Sequence, residues 1–125
     1  MKIKSIMSLK AIFGIFLSLG FLFFTRTVIS LFGMSANDGE IVVAKLLGQM
    51  YLLMTLLLWF CRNTSETTTK KAFAISITIG DAIGAVVCMM AVLSGAINSL
   101  GWLPAAIYLF FTIGFGYFVV SPKTG

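Results

Sequence analysis

The chain of 125 residues contains no histidine. That removes the side chain most often used as a general base, a haem ligand or a metal ligand. Charge is scarce as well. Only 10% of the residues are Asp, Glu, Lys or Arg against 59% hydrophobic, and mean hydropathy is +1.05. Such a chain has too little polar surface to cover a water-soluble globule, so its apolar runs must face lipid or a very large partner, and membrane insertion is the simpler reading. Acidic residues are fewer than basic ones, giving a net charge of +5. The cations flank hydrophobic runs and do not gather among polar residues, so membrane lipids are expected partners and nucleic acid is not. The only two cysteines, Cys61 and Cys88, fall at different expected depths, and no disulfide is expected between them. Met50 and Met54 share a helix face, which fits adaptable packing better than soft-metal binding; no metal or cofactor is expected.

What the chain has in abundance is long apolar runs. They fall at roughly Leu9 to Phe32, Ile41 to Cys61, Ala72 to Leu93 and Trp102 to Val120. Each is near the length of about 20 residues with which a helix crosses the hydrocarbon core. Lipid cannot satisfy backbone groups, and nothing alternates with the period of a barrel strand. The expected fold is therefore all-α, a single four-transmembrane-helix bundle. Gly33 reads as a helix stop, and Asn37 stands three residues before Glu40 at capping-box spacing. The polar loop RNTSETTTKK (Arg62 to Lys71) supplies hydroxyls to cap the third helix, and SGAINSLG (Ser94 to Gly101) forms a turn. Pro104 falls in the first turn of the fourth helix, where a missing N–H costs little.

Lys2, Lys4, Lys10, Arg62, Lys70, Lys71 and Lys123 all lie on one side of a four-span chain, while the opposite loops carry Asp38 and Glu40. The positive-inside rule makes both termini cytoplasmic (N-in/C-in). Trp59 and Tyr117 then belong to the inner aromatic belt and Trp102 to the outer. The first apolar run is followed by no small-x-small cleavage site, so it is expected to be a retained span and not a signal peptide.

Three ionisable residues fall within the runs: Arg26, Lys45 and Asp81. A charge at the bilayer centre costs about 3 kcal/mol on insertion scales, so each requires a reason. Asp81, in the stretch ITIGDAIG, is near the midplane of the third span. Lys45 lies near the outer end of the second, with Gln49 one turn deeper on the same face. Lys45, Gln49 and Asp81 are expected to form the polar core of the bundle, with Asp81 a structural lock, a ligand or proton site, or a contact with another subunit. Arg26 is expected to reach up to headgroups or to Asp38 and Glu40. Ser76, Gly80, Gly84 and Cys88 repeat every four residues, and Ala44 and Gly48 make a second small-residue patch. Such stripes let helices approach closely in lipid, and both are expected packing surfaces.

The segments AKLLGQMYLLMTLLLWFCR (Ala44 to Arg62) and LSGAINSLGWLPAAIYLFFTIGFGYF (Leu93 to Phe118) resemble small, functionally uncharacterised four-helix membrane proteins of bacteria. The resemblance implies the four-span count and no activity. The bacterial cytoplasmic membrane is the expected location. Without a catalytic constellation, the expected role is that of a non-enzymatic accessory, scaffold or assembly subunit. It would act through helix–helix packing with other membrane subunits or with its own copies. The competing expectation is a small oligomeric transporter or channel using the Asp81, Lys45 and Gln49 site. A lipid- or quinone-directed enzyme is the least supported by the residues.

Overall fold

A computed structural model describes residues 2–121. Its elements, in order, are α1 (Ile3–Phe23), α2 (Thr25–Leu31), α3 (Asp38–Cys61), α4 (Thr67–Leu93), a single 3-10 turn (Ser99–Gly101) and α5 (Trp102–Val120). The described residues contain no strand, and four helices are long and apolar enough to cross a membrane. Within the most apolar 18-residue window of each, only 17–22% of the residues are buried by the rest of the chain. Most of the helical surface must therefore be covered by something else, and its Leu, Ile, Val and Phe side chains suit hydrocarbon.

The first apolar run is two helices. They break at Phe24, whose φ of −124° and ψ of 39° leave the α region. The Thr25 hydroxyl donates to the Phe21 carbonyl one turn back, a bond that competes with the helical ladder and bends helices. Gly20 lies at the bend, where a Cβ would stand 3.2 Å from a Val28 methyl group. The helix also starts at Ile3, well before the apolar run, so Lys10 lies two turns inside α1 and not at its margin.

The bundle is built from two close-packed helix pairs, α1 with α3 and α4 with α5, which meet mainly along α1 and α5. Helices α3 and α4 are consecutive in sequence yet share little contact. Glycine permits the close approaches. At Gly48 a Cβ would stand 2.8 Å from Phe21 Cβ and 3.1 Å from the Leu22 backbone nitrogen, and at Gly14 it would run into the Thr55 hydroxyl. In the other pair, Gly84 lies against the Tyr108 ring, 3.1 Å from such a Cβ. A core of Ile3, Ile6, Met7, Leu58, Ile77, Phe111 and Phe115 fills the end of the bundle that carries Lys2, Arg62 and Lys70. This is called the basic end below; Lys123 lies outside the described residues.

At the opposite end the loops tie the pairs together. Helix α2 closes on Gly33 (φ 77°) and α4 on Gly95 (φ 81°), conformations that L side chains rarely adopt. In each, the two following N–H groups reach back to terminal carbonyls: Gly33 to Ser30 and Met34 to Ile29, Gly95 to Val92 and Ala96 to Ala91. Asn98 completes the seal. Its backbone N–H donates to the Phe32 carbonyl and its side-chain amide to the Leu31 carbonyl, both at 2.9 Å. Asn37 and Glu40 form the reciprocal capping box at the start of α3, each bond 2.9 Å. Pro104 occupies the first turn of α5.

Candidate functional site

Two polar groups set at depth distinguish this bundle: an inward ion pair and an outward amide. The ion pair joins α1 to α4. Lys10 is one turn beyond Ile6 and Asp81 one turn beyond Ile77, and both isoleucines belong to the buried core. The i+4 step keeps each ionisable group on the inward face of its helix, just above the packed layer. Lys10 Nζ donates to Asp81 Oδ2 at 2.6 Å, and the two side chains are only 14% and 10% exposed. The ammonium also lies 4.8 Å from the centre of the Phe111 ring and 6.0 Å from that of Tyr108. The negative ring faces add to the carboxylate in stabilising the cation.

A second cross-brace lies one layer further from the basic end. The Tyr108 ring rests on Gly84, which follows Asp81 by three residues on α4. Its hydroxyl hydrogen-bonds to that of Tyr51 on α3. The Tyr51 ring in turn stacks on Phe21, centroids 6.2 Å apart and planes 18° from parallel. Besides the Asn98 seal, the helix pairs are thus linked by an ion pair between α1 and α4 and by tyrosine hydroxyls between α3 and α5. An apolar hollow of about 390 Å³ lies beside this layer, lined by Leu9, Phe13, Ala106, Ile107, Phe110 and Phe111.

The expected polar core of Lys45, Gln49 and Asp81 does not assemble. Lys45 and Gln49 are exposed on α3, and Asp81 is taken by Lys10. Two facts of packing account for this. The α1-facing side of α3 is set by Ile41, Gly48, Thr55 and Leu58, which leaves Lys45 and Gln49 on the outer arc. Helix α3 also contacts α4 too little to deliver a side chain to it. No described residue forms a hydrogen bond to the Gln49 side chain or an ion pair with Lys45. Arg26 is exposed and reaches Asp38 at 2.8 Å and the Ala36 carbonyl at 3.3 Å. That pair runs from α2 to the first residue of α3 and is exposed, so it contributes little stability.

The small-residue stripes divide. Gly48 and Gly84 pack as close contacts, with Ala44 and Cys88 half-buried, whereas Ser76 and Gly80 are exposed and nothing lies within 4 Å of a Cβ built at Gly80. Cys61 and Cys88 are both free thiols. Among the described residues no three His, Cys, Asp or Glu side chains come together. Lys10, Tyr51 and Tyr108 are the site residues that sequence reasoning passed over. Lys10 has a signal in retrospect, because Ile3, Ile6, Met7, Ala11 and Gly14 form an inward stripe that contains it.

Comparisons with protein-family models, with curated proteins and with solved structures found no match.

Proposed function

We propose that this is a non-enzymatic integral membrane protein that works as an accessory or assembly subunit, docking through an outward helix face. The observation that carries the reading is the position of Gln49. It is the twelfth residue of the 24 in α3, hence at the middle of a spanning helix, and it is exposed with no partner in the described chain. An amide in hydrocarbon without a hydrogen bond costs several kcal/mol on an alkane scale, roughly 4–8. Lys45 can carry its charge toward the interface on its long stem, but a glutamine some 12 Å from the first apolar residue of α3 cannot. A neighbouring helix that bonds the amide removes the cost. The proposed orientation keeps the basic end cytoplasmic, as the distribution of lysine and arginine favours.

The test is purification from native membranes in mild detergent, followed by mass measurement of the intact assembly. The wild-type chain is expected in an assembly larger than one copy, and Gln49→Leu is expected to loosen it. A monomer in both cases refutes the reading.

The Lys10–Asp81 pair favours a second reading, permeation of protons or a small solute between the helix pairs. It predicts that Asp81→Asn, inserted and folded, loses flux in liposomes. The aromatic rings around the pair and the apolar lining of the hollow beside it support the structural role over this one.

A further inference from the structure

We infer that the partner covering the outward face of α3 is a second copy of this chain, packed α3 against α3 about a two-fold axis along the membrane normal. The inference rests on the docking role assigned to this face above. Three features of the face select the occupant.

The first is spacing. Val42, Leu46, Gln49, Leu53, Leu56 and Phe60 follow one another at steps of four, three, four, three and four, and all six are exposed. That is the alternation of a coiled-coil seam, which suits two helices crossing at a small left-handed angle. The exposed row Val43, Leu47, Met50, Met54 and Leu57 has the same steps, and the row through Leu46 is set apart from it by carrying Gln49. The helix face occupied by α1 (Ile41, Gly48, Thr55 and Leu58) lies well round from it, so the seam can be covered without disturbing the fold.

The second is depth. Copies inserted in the same orientation and related by that axis place Gln49 at one level in both. Any other partner must happen to carry a matching polar group at mid-membrane; a second copy does so by identity.

The third is electrostatic complementarity. A carboxamide holds a donor and an acceptor, so two of them related by a two-fold satisfy each other, as a carboxylate pair or an ammonium pair would not. A single polar residue in an apolar seam fixes register between parallel helices. Lys45 sits beside the seam, one residue before Leu46. In a parallel pair its stem packs across the partner helix and does not face its own mate, so the cations do not oppose the contact.

The experiment uses the full chain in liposomes and in native membranes. Copies labelled with donor and acceptor dyes are expected to show energy transfer that falls on dilution into lipid. Gln49→Leu is expected to weaken the dimer about threefold to thirtyfold. In a Cys61→Ala/Cys88→Ala background, Leu53→Cys on the seam is expected to form an intermolecular disulfide under mild oxidation, and Met54→Cys, about 100° round the helix, is not. Leu53 and Met54 are exposed, so the two test substitutions leave the protomer's core intact. Preferential cross-linking through Met54→Cys, or an unaltered dimer in Gln49→Leu, overturns the seam. A photo-reactive phenylalanine analogue in place of Leu46 separates the remaining outcomes. An adduct of twice the chain mass supports the second copy. Adducts only with other proteins overturn the second copy and leave the docking role standing; adducts only with lipid overturn both.

Discussion

Removing the ammonium of Lys10 is the sharpest perturbation the bundle offers. In Lys10→Met a linear side chain of similar reach keeps the packing against Phe111 but strips Asp81 of its partner. The carboxylate is then only 10% exposed, with no other cation placed to meet it. Breaking a buried pair on one side costs about 3–5 kcal/mol, and since this one is not wholly enclosed the lower figure applies, about 3 kcal/mol. Asp81→Leu alone leaves a lysine that can reach for the basic end, so a smaller loss is expected, about 1–2 kcal/mol. The double variant Lys10→Met/Asp81→Leu carries no buried charge and is expected within about 1 kcal/mol of wild type, because apolar replacement of a buried pair is often neutral.

The assay is reversible unfolding in mixed micelles, followed by far-ultraviolet circular dichroism as the denaturing detergent fraction rises. The four proteins form a double-mutant cycle, and the expected coupling is about 3–5 kcal/mol. Lys4→Met serves as the control, since Lys4 is exposed near the start of α1. If Lys10→Met is no more destabilising than Lys4→Met, or if the single effects simply add, the pair does not hold α1 to α4 and the account of the site fails.

Three further outcomes follow from the packing and the charge pattern. Gly48→Ala forces a Cβ to within 2.8 Å of Phe21 and 3.1 Å of backbone, and should destabilise by about 1–3 kcal/mol, whereas Gly80→Ala, with open space around it, should stay within about 0.5 kcal/mol in the same unfolding assay. Tyr108→Phe removes one member of the hydroxyl pair and should cost about 1 kcal/mol, with the Tyr51→Phe/Tyr108→Phe double no worse than the single. For orientation, a membrane-impermeant maleimide added to intact cells should label Ser35→Cys and not Ser65→Cys in a background without Cys61 and Cys88; the reverse pattern would invert the topology.

The four membrane-capable helices were legible because hydrophobic length is read directly, and the capping box and Gly33 because they are local backbone chemistry. The break at Phe24 was not: hydropathy runs on unchanged through Thr25, and only the hydroxyl bond to Phe21 and the Gly20–Val28 contact mark it. The ion pair was half legible. Asp81 announced itself as a carboxylate in an apolar run, but its partner depends on which helices are neighbours, and sequence order does not give that. Consecutive α3 and α4 scarcely touch, so Lys45, on the adjacent helix in sequence, was the wrong cation. Lys10 follows Lys2 and Lys4 and so reads in sequence as a flanking cation, although its place on the Ile6–Gly14 stripe turns it inward.

The contrast between Asp81 and Gln49 follows from when each must be satisfied. A span inserts before it assembles with partners, and an ion at depth is costly from that moment. Asp81 therefore has to find its counter-ion within its own chain, on a helix synthesised earlier, and Lys10 of α1 meets that condition. A carboxamide is cheaper to expose than an ion and can wait for a second protein. The same physics that drives the charge inward thus lets the amide remain outside. Moving the charge to the outer face should expose the difference. Gln49→Asp, with no cation on the adjoining arc except Lys45 one turn away, is expected to lower the yield of inserted protein in a glycosylation-tag insertion assay, while Gln49→Asn is expected to insert as wild type does. Equal insertion of the two would mean that Gln49 already lies in a polar environment, and that the outer face of α3 is not bare before assembly.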